Sequence, residues 1–181
     1  VAKAFAGSLN ESRFDDAAAL TRLDQMPLLA LVEGAGVDEA LGLLDAGAEQ
    51  VAANYWSGFW DTAAPAFGQL EVSDIAPIQT DANAFVAVVS SDPGQPRLVL
   101  SGAGRWEIDI LASFGSGVAV RLADSAAAFD GRRGADVGRM IELFKNQRPS
   151  LQAALTDGTL LPELAAELEN LVDVIDGLAP G

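Results

Sequence analysis

The sequence predicts an α+β fold in which N-terminal helices pack on a curved antiparallel sheet of about four strands, followed by additional C-terminal helices. Three observations predict it. Apolar residues recur with a helical period before Pro65, alternate with period two between residues 84 and 111, and return to the helical period after Gly115. The whole chain, 1–181, reads as a single domain made of an α+β part, 1–112, and a helical extension, 113–181.

Taken in order, Val1–Leu9 and Ser12–Leu23 set Phe5, Leu9, Phe14, Ala18 and Leu20 at spacings that suit two short helices, with Asn10 or Ser12 as the cap between them. Pro27 is expected to end this hairpin. Asp38 then caps a predicted long helix on which Leu41, Leu44, Ala48, Val51, Tyr55 and Phe59 share a face. Gly42, Gly47 and Gly58 weaken that helix intrinsically, so packing must hold it.

Beyond Pro65 the pattern predicts strands at Gln69–Ile78, interrupted at Pro77, and at Ala84–Ser90, Arg97–Ser101 and Arg105–Leu111. Asp92-Pro93-Gly94 and Gly102-Ala103-Gly104 supply the turns of a meander, because Pro presets a turn dihedral and Gly accepts a positive one. On the last strand Trp106, Ile108 and Ile110 are expected on one face and Glu107 and Asp109 on the other. Helices follow at Val118–Phe129, Ala135–Asn146 and Leu161–Leu178, with Pro149 and Pro162 expected near helix starts. The last of these sets Leu164, Leu168, Leu171, Val174 and Ile175 against Glu163, Glu167 and Glu169, so its apolar stripe must pack on the domain or on a partner.

Composition removes many chemistries. The chain has no Cys and no His, which excludes thiolate and imidazole zinc sites, Cys nucleophiles and Ser-His triads. A formal charge of -15 and a pI near 4.1 repel phosphate backbones and anionic lipid. The one dense basic pair, Arg132 and Arg133, lies in a Gly-rich turn between Asp130 and Asp136 and reads as a solvated loop. No nucleic-acid partner is expected. No apolar run is long and uncharged enough to cross a bilayer. The chain starts with Val1, inside a predicted helix, which leads to the expectation of a signal or membrane anchor ahead of this numbering and an extracytoplasmic or anchored location, with a cytoplasmic location otherwise.

Motif searches give negative results. Ser113-Phe114-Gly115-Ser116-Gly117 lacks the spacing and the His of a nucleophile elbow. Gly102-Ala103-Gly104 precedes a strand rather than opening a helix, so it is no dinucleotide loop. Asp130–Glu142 has Arg132 and Gly134 where a calcium loop needs oxygen ligands. No catalytic, metal-binding or cofactor-binding residue is assigned.

Val1-Ala2-Lys3-Ala4-Phe5, the stretch from Asp15 to Thr21, and Gly104-Arg105-Trp106-Glu107-Ile108-Asp109 together resemble the nuclear transport factor 2-like, or cystatin-like, superfamily in its extracytoplasmic bacterial form, over about residues 1–112. The resemblance implies a cone in which a long helix and a curved sheet enclose a pocket. Some relatives use that pocket for acid-base chemistry and others only bind there. Glu71, Asp74, Glu107 and Asp109 would be the carboxylates available for such chemistry, although an exposed sheet face explains them as well.

Tyr55-Trp56-Ser57-Gly58-Phe59-Trp60 carries four rings in six residues, which one helix face cannot hold. Two readings follow: Tyr55 and Phe59 fill the core while Trp56 or Trp60 covers a neighbouring element, or Trp56 and Trp60 line a pocket or partner surface. Tyr55, Trp56, Phe59, Trp60 and Trp106 are therefore the candidate ligand- or partner-binding residues. The leading functional expectation is a non-catalytic extracytoplasmic domain that binds a protein partner or a small apolar ligand. The alternatives are a cone-fold isomerase or cyclase with an Asp or Glu general base, and an oligomerisation module forming a homodimer through the last helix.

Overall fold

The computed structural model describes residues 1–72, 74–78, 85–89, 98–101, 105–115, 118–156 and 162–179. Its elements are α1 (Ala2–Asn10), α2 (Phe14–Ala18), α3 (Met26–Val32), α4 (Val37–Gly42), α5 (Ala48–Phe67), β1 (Asp74–Ile78), β2 (Phe85–Val89), β3 (Leu98–Ser101), β4 (Glu107–Asp109), α6 (Ile110–Phe114), α7 (Ala119–Ala127), α8 (Ala135–Thr156) and α9 (Pro162–Gly177). The expected α+β class is corrected by this inventory. The fold is mostly helical, with nine α-helices among the described residues, and a short antiparallel ladder of strands of three to five residues stands in place of the curved sheet. The reason is visible at both ends of the alternating stretch. Helix α5 continues past Pro65 to Phe67, and the strand expected at Arg105–Leu111 shrinks to Glu107–Asp109 because Ile110 already opens α6.

Contacts divide the chain into two compact units, Val1–Leu23 with Gly47–Phe114, and Asp24–Ala46 with Gly115–Gly181. The first holds α1, α2, α5, the strands and α6. Helix α1 buries Ala2, Phe5, Ala6 and Leu9, one stripe of a helical period. Neither Asn10 nor Ser12 caps α2. Ser12 instead takes a left-handed backbone, φ 55°, and Asn10 grips the backbone of Leu70, donating from Nδ2 at 3.0 Å and accepting at Oδ1 at 2.8 Å. Helix α5 turns Ala52, Ala53, Trp56, Trp60 and Ala63 inward and ends at Gly68, whose φ of 68° favours glycine. The strands lie in the order β1-β2-β3-β4, each antiparallel to the next, with Leu100 opposite both Val86 and Ile108. The turns predicted at 92–94 and 102–104 lie outside the described residues.

The free edge of β4 is covered by the chain between α2 and α3. Thr21 forms a parallel bridge with Ile108, Ile108 N–H donates to Leu20 O at 2.8 Å, and Arg22 N–H donates to Ile108 O at 3.0 Å. This is why the second helix stops at Ala18 rather than running to Leu23. Side chains lock the strap: Arg22 Nη1 lies 2.7 Å from Asp109 Oδ2, Ser101 Oγ donates to the same oxygen at 3.1 Å, and Asp109 is fully buried. Asp109 Oδ1 accepts from Ala112 N–H at 2.9 Å, the bond of a helix N-cap, so the residue that closes β4 also starts α6. The exposed sheet face expected for Asp109 is thereby corrected. Trp106 and Ile108 part as well, the first 37% exposed and the second fully buried.

The second unit consists of α3, α4, α7, α8 and α9. Pro27 opens α3 rather than ending a hairpin, as its missing N–H allows in a first turn. The long helix expected from Asp38 is broken after Gly42. Gly47, at φ 89°, occupies the position before α5, so the segment ahead of it belongs to the second unit and α5 to the first. Pro149 lies inside α8 instead of starting a helix. Met140, Phe144, Gln147, Leu151 and Ala154 keep one buried face in helical period across it, and that packing outweighs the hydrogen bond proline removes. Gln25 Nε2 donates to Gln147 Oε1 at 2.9 Å, and Gln147 Nε2 donates to Leu143 O at 2.9 Å, so both buried amides are engaged. Helix α9 buries Leu168, Leu171, Val172 and Ile175 and packs on α7 and α8, so its stripe is used within the unit.

Removing one member of a buried ion pair strands the other, at a cost of about 3–5 kcal/mol. Asp109→Ala is therefore expected to lower the urea midpoint by an amount in that range with an unchanged slope. Glu107→Ala, whose half-buried side chain lies 3.6 Å from an exposed Arg105, is expected to cost under about 1 kcal/mol. Equal effects of the two substitutions would contradict the assignment.

Candidate functional site

Helix α5 brings the predicted aromatic residues together and also decides their use. Trp56 is fully buried and Trp60 is 7% exposed, whereas Tyr55 and Phe59 are half-buried. The inward pair is thus Trp56 and Trp60, the reverse of the core assignment expected from the sequence. Trp56 sits at the centre of a ring cluster: Phe5 is 4.8 Å away, Tyr55 5.0 Å, Phe114 5.5 Å and Phe59 5.8 Å between centroids, all edge-on. Phe59 and Phe114 close the far side at 4.8 Å. The indole N–H donates to Thr21 Oγ1 at 2.9 Å, and Thr21 Oγ1 donates to Ala17 O at 2.8 Å. A molecule reaching Trp56 would have to displace these rings and break that relay. Trp106 does not join the cluster: it flanks β4 beside exposed Arg105, whose guanidinium donates to Ala19 O.

The carboxylates sort by surroundings. Glu71 is exposed, Glu107 half-buried, and the side chain of Asp74 lies outside the described residues. Asp109 has one oxygen on Arg22 and Ser101 and the other on Ala112 N–H, an arrangement that stabilises a buried structural carboxylate. Ser113 is likewise occupied: its hydroxyl oxygen accepts from Val99 N–H at 2.7 Å, and the O–H donates to Val99 O at 3.3 Å. Among the described residues no group of three or more acidic side chains converges to hold a metal ion, and no helix is long and apolar enough to cross a membrane.

Among the described residues an open concavity of this unit lies elsewhere, between α2 and α5. It encloses about 440 Å³. Ser12, Arg13, Phe14, Asp15 and Asp16 form one wall. Gln50, Asn54 and Ser57, spaced at four and three residues along α5, form the other, with Ala53 as the floor. Arg13 Nε contacts Glu11 Oε2 at 2.9 Å, its Nη1 pairs with Asp16, and Gln50 Nε2 donates to Asn54 Oδ1 at 3.0 Å. A smaller concavity between α8 and α9, about 220 Å³, is lined by Gln152, Leu155, Glu169, Val172 and Asp173.

The sequence reading missed Thr21, Arg22 and the α2–α5 groove. A signal for Asp109 did exist, since Asp followed by Ile-Leu-Ala-Ser-Phe is a helix start. None existed for Arg22, whose partner is 87 residues away. Comparison of the chain with protein-family models, with curated proteins and with solved structures gives no match, and nothing in it bears on the resemblance of residues 1–112 to the nuclear transport factor 2-like superfamily.

Burial raises the Tyr55 phenol from its ordinary 10.0 to about 12. The folded chain then keeps a proton that the unfolded chain has lost, so this group leaves stability unchanged below pH 10 and reduces it as pH rises toward 12. Ultraviolet titration of the single tyrosine is expected to give a midpoint near 12 in the folded chain and near 10 in urea. A folded midpoint near 10 would contradict the burial of its hydroxyl.

Proposed function

We propose that this chain is a non-catalytic binding module whose partner is a protein rather than an apolar small molecule. One contrast carries the reading: the aromatic rings that would line an apolar pocket are packed on one another around Trp56, while the α2–α5 groove is open and lined by polar side chains together with Phe14 and Ala53. Apolar ligands are held in enclosed cavities lined mostly by hydrophobic side chains. An open concavity that sets carboxylates, amides and hydroxyls around Phe14 and Ala53 suits the apolar centre and polar rim of a protein contact. The general-base alternative loses support because Asp109, the buried carboxylate, is held by Arg22, Ser101 and a helix cap. The homodimer alternative loses support because the stripe of α9 is used inside its own unit.

A photocrosslinking residue at the exposed Asn54 is expected to give one discrete protein adduct in cells of the source organism. Excess unlabelled chain should compete it away, Ser57→Arg should abolish it, and a crosslinker at the exposed Val120 should not form it. Native mass spectrometry of the extracted chain should give the bare polypeptide mass. A retained apolar molecule, or substrate turnover lost on Asp109→Asn with the fold intact, would overturn the proposal.

A further inference from the structure

We infer that the α2–α5 groove receives a cationic segment of the partner, one that presents an arginine or lysine side chain between the two helices. The inference rests on the protein-binding reading above and adds the partner's chemistry. Charge complementarity carries it. Arg13 is the cation of the groove wall, and Glu11 and Asp16 already engage it, so the guanidinium arrives neutralised. Asp15 stands exposed on the same wall and is not a member of that pair, and Glu49 and Asp61 extend the negative field along the exposed side of α5, before Gln50 and one turn beyond Ser57. After its bond to Asn54, Gln50 keeps an acceptor oxygen, and the hydroxyls of Ser12 and Ser57 accept as well.

A guanidinium or ammonium brings only donors, and Asp15, the Gln50 side-chain oxygen and the hydroxyls of Ser12 and Ser57 can accept from it. An anionic ligand would meet the carboxylates of Asp15 and Asp16 on the α2 wall, and an apolar one would leave them desolvated without partners. The volume of about 440 Å³ accommodates one or two extended side chains rather than a folded domain, which suits a peptide-like segment. The net charge of -15 adds long-range attraction, so association should be fast at low salt and slow steeply as salt rises.

The test uses the full chain, isotope-labelled for amide resonances, titrated with a short Gly-Ser peptide carrying two arginines and with the same peptide carrying glutamates instead. The arginine peptide is expected to shift residues 12–16 and 50–57 selectively. Ser57→Lys, at a half-buried wall position, should weaken binding at least tenfold, and Asp15→Asn about three- to tenfold, while charge reversal at the exposed Glu142 of α8 should change it less than twofold. Equal binding of the two peptides, shifts spread over the whole acidic surface, or no shifts at all would overturn the inference. A discrete adduct from Asn54 together with any of those results would refute the cationic partner and leave the protein-binding reading standing. Loss of the adduct as well would refute both.

Discussion

A buried ion pair between Arg22 and Asp109 sets the first unit's architecture. The segment Leu20–Arg22 leaves α2 and joins the edge of β4 through two backbone hydrogen bonds, and the guanidinium then neutralises the one fully buried carboxylate among the described residues. A carboxylate removed from water is tolerated only with a charge partner and full hydrogen bonding, and Asp109 has both. Because its second oxygen caps α6, the same residue fixes where strand becomes helix and so where Phe114 enters the ring cluster. Thr21, next to Arg22, accepts the indole proton of Trp56. Two adjacent residues thereby tie α2, α5, β4 and α6 together.

The proposed function rests on what this tie consumes. Trp56 and the buried carboxylate are the groups most suited to ligand binding or acid-base chemistry, and both are spent on holding the unit together. The recognition surface proposed above is the groove between α2 and α5. Its exposed Asp15 carries the sign of the chain's net charge, so under that proposal the groove and the long-range field would favour the same, cationic partner.

Much of the local structure was legible. The stripe Phe5–Leu9 and the two-faced last helix each report an element through its own period, and the short apolar runs at 85–89 and 98–101 coincide with strands. The balance of the fold was not. Alternation over 105–111 reads as one strand, but Asp109 takes a cap bond, and a cap at the end of a short strand is invisible to a period-two pattern. Gly47 looked like a weak point in one helix, whereas its left-handed backbone ends one segment and starts another in a different unit. Pro149 looked like a start, and only the buried face continuing from Phe144 to Leu151 reveals that the helix passes through it. The four rings at 55–60 lie on one helix, but the inward pair is Trp56 and Trp60, and the partner of the Trp56 indole, Thr21, lies 35 residues earlier. The groove depends on two helices distant in sequence, and no single window of residues contains it.

Native-state amide exchange at Arg22, Ile108 and Ala112 tests the dependence on the ion pair most directly. These three N–H groups lie in the strap, the strand edge and the α6 cap. If Arg22 and Asp109 hold the unit as described, all three exchange only through its global unfolding, with a common opening free energy and the full denaturant slope. Exchange of Arg22 and Ile108 through a local opening independent of denaturant, while the α5 amides stay protected, would contradict it.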